Sequence, residues 1–289
     1  MSKPIILFIP GAYVLLPVYQ PLFDAVSNAG YEIKGIHPPT VGLSSRQGRD
    51  GPAPSMYDDA AVIAQEVERL ADQGKNVILM GHSYAGVSMS QSTKGLGKEE
   101  RKAQGKPGGI VQLAYIACLV PAVGESAASL IGSLEGVKYP PVTIENGWML
   151  VNDVATTAQI VCHKLPPNEG ETVISGFAKH SAQSFADNLT HAGYKDIPAS
   201  YLLCEEDNAG PAPFQRKMIA MMEAASGRKV DVTSVKADHC PMLCAEKETV
   251  EWVLSVVEKA QESYGRRSLS KQQPLANVTH SGNHVFTLL

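Results

Sequence analysis

The run Gly81-His82-Ser83-Tyr84-Ala85-Gly86 sits between the apolar stretch Val77-Ile78-Leu79-Met80 and the segment Val87-Ser88-Met89-Ser90-Gln91. A serine with small residues two places before and two places after it suits a tight strand-to-helix turn, which holds the hydroxyl at a strained tip as an activated nucleophile. Residue 85 is alanine where G-x-S-x-G has its second glycine, and the glycine follows one place later. Alanine still meets the size requirement. The competing reading is an inert serine in a glycine-flanked turn.

A serine hydroxyl is a weak nucleophile unless a histidine takes its proton and an acid holds that histidine in the right tautomer. In the chain order serine, acid, histidine, the acid lies just after a late strand and the histidine after the last one. The apolar run Ala199–Cys204 leads into Glu205-Glu206-Asp207, and Asp207 is the carboxylate chosen, with Glu205 and Glu206 open as substitutes. The run 230–235 leads into Lys236-Ala237-Asp238-His239, which puts His239 where the base belongs; a surface histidine is the alternative. An oxyanion hole needs backbone N–H groups aimed at the developing charge. Tyr84 supplies one. The second falls in Pro10-Gly11-Ala12-Tyr13, with Ala12 preferred and Gly11 as fallback, although Pro-Gly by itself is an ordinary turn.

These residues need a scaffold that brings strand ends together. Apolar runs at 4–9, 31–36, 76–82, 110–117, 199–204 and 230–235 read as strands, separated by helical patterns within 19–30, at 60–71, after Ser83 to about 93, at 214–225 and at 246–264. Strand-helix alternation predicts an α/β fold with a mostly parallel sheet flanked by helices. The alternation fades between 121 and 198, which reads as an inserted cap with a helix around 173–191. The core is then 1–120 with 199–265, and 266–289 reads as an extended or disordered tail. The charged segment 94–109 reads as a solvated loop.

Composition narrows the function classes. The 289 residues are 44% hydrophobic and 19% charged, with a formal net charge of −4, so no basic excess favours nucleic acid or an anionic membrane. The N-terminal apolar run is too short for a signal-peptide core or a membrane span. Five cysteines without a secretory signal imply no disulfide framework, and a cytoplasmic location is expected. Asp238, His239, Cys240 and Cys244, with Cys162-His163, include zinc-ligand types but lack paired C-x-x-C spacing, so no metal is expected. Gly95 and Gly97 have no third glycine at position 100, and no P-loop occurs, so no nucleotide cofactor is expected. Asn277-Val-Thr279 matches a glycosylation acceptor and is read as chance.

The quoted motifs resemble the α/β-hydrolase superfamily, and within it the cofactor-free group of plant methylesterases, hydroxynitrile lyases and fungal biosynthetic hydrolases, over residues 4–262. FIPGAY is similar to that group's oxyanion loop, GHSYAG to its serine elbow, EEDNAGPAPFQ to its acid loop and ADHCPM to its histidine loop. The Phe214-Gln215 match sets the register of the acid loop and favours Asp207. Two residues depart from the pattern: Pro10 replaces the usual histidine of the oxyanion loop, and Cys240 replaces the lysine that follows the histidine in hydroxynitrile lyases, so cyanohydrin cleavage is not expected.

The resemblance implies an α/β-hydrolase fold and a serine hydrolase acting on an ester or lactone of a small to medium apolar metabolite. It points to Ser83, Asp207 and His239 as catalytic, and to Ala12 and Tyr84 as oxyanion donors. Gly11, Tyr13, Trp148 and His180 are candidates for the substrate pocket. Two other readings stay open: a cyclase, C–C hydrolase or lyase using His239 as a general base, and a ligand-binding receptor or pseudoenzyme. A homodimer is also open.

Overall fold

The computed structural model describes residues 3–133 and 139–270, the last seven by backbone alone. In chain order the elements are β1 (Ile5–Ile9), α1 (Gln20–Asn28), β2 (Ile33–Gly35), α2 (Met56–Asp72), β3 (Asn76–His82), α3 (Ala85–Gln91), α4 (Lys98–Ala103) and β4 (Gly109–Ile116). There follow α5 (Ala127–Gly132), β5 (Val142–Glu145), β6 (Trp148–Val151), α6 (Val154–Val161), α7 (Pro167–Ser175), β7 (His180–Ser181) and α8 (Ala182–Ala186). The chain then returns through β8 (Ala199–Cys204), α9 (Ala212–Ser226), β9 (Asp231–Val235), α10 (Pro241–Cys244) and α11 (Glu246–Ser270).

Among the described residues six strands form one sheet in the order β2-β1-β3-β4-β8-β9, every neighbouring pair parallel. Successive side chains of a strand face opposite ways, so each central strand feeds two cores. Ile5, Leu7, Ile9, Val77, Leu79, Tyr201 and Leu203 join α2, α3 and α9 on one face. Ile6, Phe8, Ile78, Met80, Leu202 and Cys204 join α1 and α11 on the other. Cover on both faces explains why β1 reads as an unbroken apolar run. Helix α2 starts at a capping box, Ser55 with Asp58, and stops before Gly74 at φ +81°.

Parallel strands end on the same edge, so the loops after β1, β3, β8 and β9 all open there. Facing that edge lie residues of α5, α6 and α8 and of β5 and β6, which form a small antiparallel sheet with β7.

Three expectations need correction. The 173–191 helix is not continuous: α7 ends at Ser175, with Gly176 as its C-cap, His180–Ser181 pairs with Trp148 and Met149 of β6, and only Ala182–Ala186 is helical beyond. Segment 94–109 contains α4, because the guanidinium of Arg101, fully buried, is held by the Pro107 carbonyl and the Asp72 carboxylate. The backbone of α11 continues through residues 266–270, while the rest of the tail, with Asn277, lies outside the described residues. No helix among the described residues is long and apolar enough to cross a membrane.

A buried acid supports the cap. Asp59 accepts Thr40 N–H (2.9 Å) and the Thr40 hydroxyl (2.6 Å), and the Thr40 carbonyl accepts Ser181 N–H (2.8 Å). Burial raises the Asp59 pKa to about 7, against the pull of the Thr40 hydrogen bonds. The unfolded chain releases this proton near pH ~4. The contribution of Asp59 to stability is therefore fully present below that pH and is lost as pH rises towards about 7, by roughly 4 kcal/mol in all at about 1.4 kcal/mol per unit. Asp59→Asn keeps both partners without the charge, so its unfolding free energy should lose this slope and exceed that of wild type at pH 8; denaturation curves at pH 5 and pH 8 test this.

Candidate active site

Ser83 occupies the bend from β3 into α3 with φ +57°, a left-handed conformation that costs a non-glycine residue roughly 1–3 kcal/mol. The surrounding chain holds it there. Ser83 N–H donates to Ile116 O (3.0 Å), and Ser83 O accepts from Leu119 N–H (3.0 Å) and Gly86 N–H (3.2 Å). A Cβ on Gly81 would come within 2.8 Å of the Ala85 Cβ, which explains why positions 81 and 85 must both be small. Gly86, the glycine displaced by one place, lies where a Cβ would meet the Leu119 carbonyl and come within 2.8 Å of the Cys118 Cβ.

The loops after β8 and β9 run side by side, because Glu205 N–H and Glu206 N–H donate to Val235 O (2.9 Å) and Ala237 O (3.1 Å). His239 then stands between Ser83 and Asp207: Nε2 lies 2.8 Å from Ser83 Oγ, and Nδ1 lies 2.8 Å from Asp207 Oδ2. The Asp207 side chain is fully buried. Its Oδ1 accepts Ala209 N–H and Gly210 N–H, both at 2.8 Å, and Gln215 Nε2–H approaches Oδ2 at 3.3 Å. Gln215 also brackets the backbone of Cys204, with Oε1 taking its N–H and Nε2 donating to its carbonyl, both at 3.1 Å. Glu205 and Glu206 are exposed, and Glu206 pairs with Lys164 at 2.7 Å.

Burial alone would lower the His239 pKa, but the charge and hydrogen bond of Asp207, with the charge of Asp238, outweigh it and hold the imidazole above its ordinary value. Such an imidazole takes up a serine proton readily and keeps it on a stabilised cation.

The loop after β1 separates the candidate oxyanion donors. Gly11 N–H is committed to Tyr19 Oη at 3.0 Å, and Tyr13 N–H to His180 Nδ1 at 3.4 Å. The N–H of Ala12 between them, and that of Tyr84, have no acceptor among the described residues. Gly11 is thus removed as a donor. A Cβ there would come 3.1 Å from His82 Nδ1 and 3.2 Å from the Ser83 Cβ, so a side chain at this position would press on the serine bend.

A cavity of about 490 Å³ opens from Ser83 and His239 towards the cap. It is walled by apolar side chains such as Met149, Val151, Phe177 and Met218, and no described Asp, Glu, Lys or Arg lines it. Gly11, Ala12 and Tyr13 line it, as do Ser83, Tyr84 and His239; two pocket candidates do not. In β6 the alternation turns Met149 and Val151 inward, so Trp148 faces the other way and packs on Gly48, where a Cβ would come within 2.9 Å of its ring. His180 is fully buried beneath Tyr13 and Tyr84, behind the cavity wall.

The residues considered as metal ligands are engaged elsewhere. Asp238 Oδ1 accepts Cys240 N–H (2.9 Å) and Oδ2 accepts Lys164 N–H (2.9 Å), while His163 Nδ1 meets Asn208 Nδ2 at 3.2 Å. Among the described residues no group of three or more His, Cys, Asp or Glu is arranged to hold a metal.

The profile of the alpha/beta hydrolase family matches residues 6–252. The chain belongs to that family. It is 31% identical over 241 residues to a probable hydrolase, R7, of Phoma sp., covering 83% of this chain and 93% of that protein. Methylesterase 1 of Arabidopsis thaliana is 20% identical over 261 residues, 83% of this chain and 89% of the plant protein. The crystal structure of a pyrethroid hydrolase from Sphingobium faniae superposes with TM-score 0.67 at 18% identity, over 90% of this chain and 100% of that one, which is a likeness of fold.

Two buried residues of this hydrolase went unread in the sequence. Tyr19 Oη, which accepts Gly11 N–H, lies 2.9 Å from His82 Nδ1, and His82 Nε2 lies 2.8 Å from the His239 carbonyl. A carbonyl only accepts, so His82 carries its proton on Nε2 and takes the Tyr19 proton at Nδ1. Burial first, and the neighbouring His239 second, lower the His82 pKa to about 3, so the ring stays neutral. Position 82 inside the serine motif was the available signal; Tyr19 had none.

Proposed function

We propose that the protein is a serine hydrolase that cleaves a carboxylic ester or lactone of an uncharged, apolar, small to medium metabolite. The observation that carries the reading is the hydrogen-bonded line Asp207–His239–Ser83 opening into a cavity with no described charged wall residue. His239 takes the Ser83 proton as Oγ attacks the carbonyl, and Asp207 holds Nδ1–H and stabilises the imidazolium. The N–H groups of Ala12 and Tyr84 receive the oxyanion. His239 passes its proton to the leaving alcohol, and water attacks the acyl-enzyme by the reverse path. The name of the Arabidopsis methylesterase accords with ester chemistry, and that of the Phoma protein with hydrolysis.

Desolvating a carboxylate in such a cavity is costly. p-Nitrophenyl butyrate and octanoate are accordingly expected to exceed the anionic p-nitrophenyl hemisuccinate in kcat/KM by at least roughly 100-fold. Equal rates on neutral and anionic esters would remove the argument from the cavity. Failure of all esters and lactones, with turnover of a β-dicarbonyl instead, would turn the reading to C–C cleavage.

A further inference from the structure

We propose that His180 is a positioning residue through which the cap holds the oxyanion loop in its working shape. Its effect on rate rests on the serine-hydrolase reading above, whereas its grip on the loop stands on geometry alone.

Residues 11–14 form a tight turn, closed by Val14 N–H to Gly11 O at 3.2 Å. Its third residue, Tyr13, has φ +67°, a place that turns normally give to glycine because a side chain there is strained. Tyrosine holds that conformation only if its surroundings fix it, and the fixing groups come from the cap. His180 Nδ1 accepts Tyr13 N–H at 3.4 Å, Ala178 N–H donates to Tyr13 O at 2.8 Å, and the Tyr13 ring stacks on Phe177 with centroids 6.1 Å apart.

The tautomer of His180 is determined. Ser184 Oγ spends its proton on Ser181 O (2.8 Å), so it accepts from His180 Nε2–H (3.1 Å), which leaves Nδ1 as a bare acceptor aimed at Tyr13. Burial lowers the ring's pKa to about 3, so the ring is neutral and this acceptor is retained around neutral pH. On the other side of Ala12, the core takes Gly11 N–H through Tyr19. Ala12 N–H is thus presented to the cavity by one clamp from the core and one from the cap, and the hole is complete only while the cap is seated.

The test compares wild type with His180→Leu, which removes the acceptor, and His180→Asn, whose Oδ1 sits close to the place of Nδ1. Two quantities are read: hydrogen exchange of the Tyr13 amide by NMR, and kcat and KM on a neutral p-nitrophenyl ester. His180→Leu should speed Tyr13 exchange and lower kcat by roughly 10- to 100-fold with KM little changed, the scale expected when a donor is displaced by about an ångström. His180→Asn should restore most of both.

Unchanged Tyr13 exchange in a folded His180→Leu variant overturns the clamp, and so does faster exchange with kcat intact. A rise in KM alone would make His180 a pocket residue and overturn the proposal equally. A wild type inert towards every ester counts against the hydrolase reading, and the exchange at Tyr13 then decides the clamp by itself.

Discussion

Ser83→Ala is expected to lower kcat/KM on a neutral ester by roughly 10³- to 10⁶-fold, leaving only what the oxyanion donors and the cavity supply. The substitution keeps the Cβ at φ +57° and every backbone hydrogen bond of the bend, so thermal stability should change little. His239→Ala should cost a comparable factor, because Nε2, 2.8 Å from Oγ, is the group placed to take the serine proton. Effects within such a unit are not additive, and the double variant should be no worse than the poorer single one. Intact-protein mass spectrometry after treatment with a fluorophosphonate reads the same step without a substrate guess. Wild type should gain one adduct, absent in Ser83→Ala and greatly slowed in His239→Ala. A folded wild type that stays unlabelled would falsify the activated-serine reading and return the receptor or pseudoenzyme alternative to first place.

Asp207→Asn is expected to lower kcat by about 10⁴-fold, and its cause is a tautomer. Oδ1 of Asp207 faces the N–H groups of Ala209 and Gly210, which would hold the carbonyl end of the substituted amide at that same place. The amide NH₂ then points at His239 Nδ1, the proton moves to Nε2, and the ring can no longer accept from Ser83. The pH profile carries a second signature. Wild-type kcat/KM requires neutral His239, whose pKa is held above its ordinary value, so activity should fall as pH drops through a midpoint above about 6.5. In Asp207→Asn the two largest effects raising that pKa are gone and burial is left to lower it, so the residual activity should persist to more acid pH. A midpoint that stays put would mean that Asp207 does not govern the imidazole.

Much of this arrangement was legible locally. A strand reads from its run of apolar residues and a turn from its glycines, so the alternation led directly to a parallel sheet and to the loops that follow its strands. The elbow was legible despite Ala85 because the constraint is one of size, met where Gly81 and Ala85 face each other. The segment between β4 and β8, whose strands form a sheet of their own, was legible as a break in the alternation. Its contents were not, since β7 is two residues long and exists because β6 offers it an edge. Segment 94–109 was misread for a related reason: Arg101 looks solvated until its partners, the remote Asp72 and the nearby Pro107 carbonyl, are known.

By itself the sequence determined which residues stand where the parallel strands end, because such strands end on one side and the turn chemistry at 11–13, 83, 207 and 239 is written within a few residues of each. Tertiary structure alone decided what those residues are free to do. Ala12 is the open donor because its two neighbours bond to Tyr19 and to His180, the latter 167 positions away from Tyr13. Asp207 is the carboxylate that meets His239 because its own side chain turns inward and is buried, while Glu205 and Glu206 face water. His180, read as a pocket residue, is turned behind the cavity wall to grip the oxyanion loop. Each of these depends on hydrogen-bond partners remote in the chain, and no local pattern of residues encodes whether a donor is already spent.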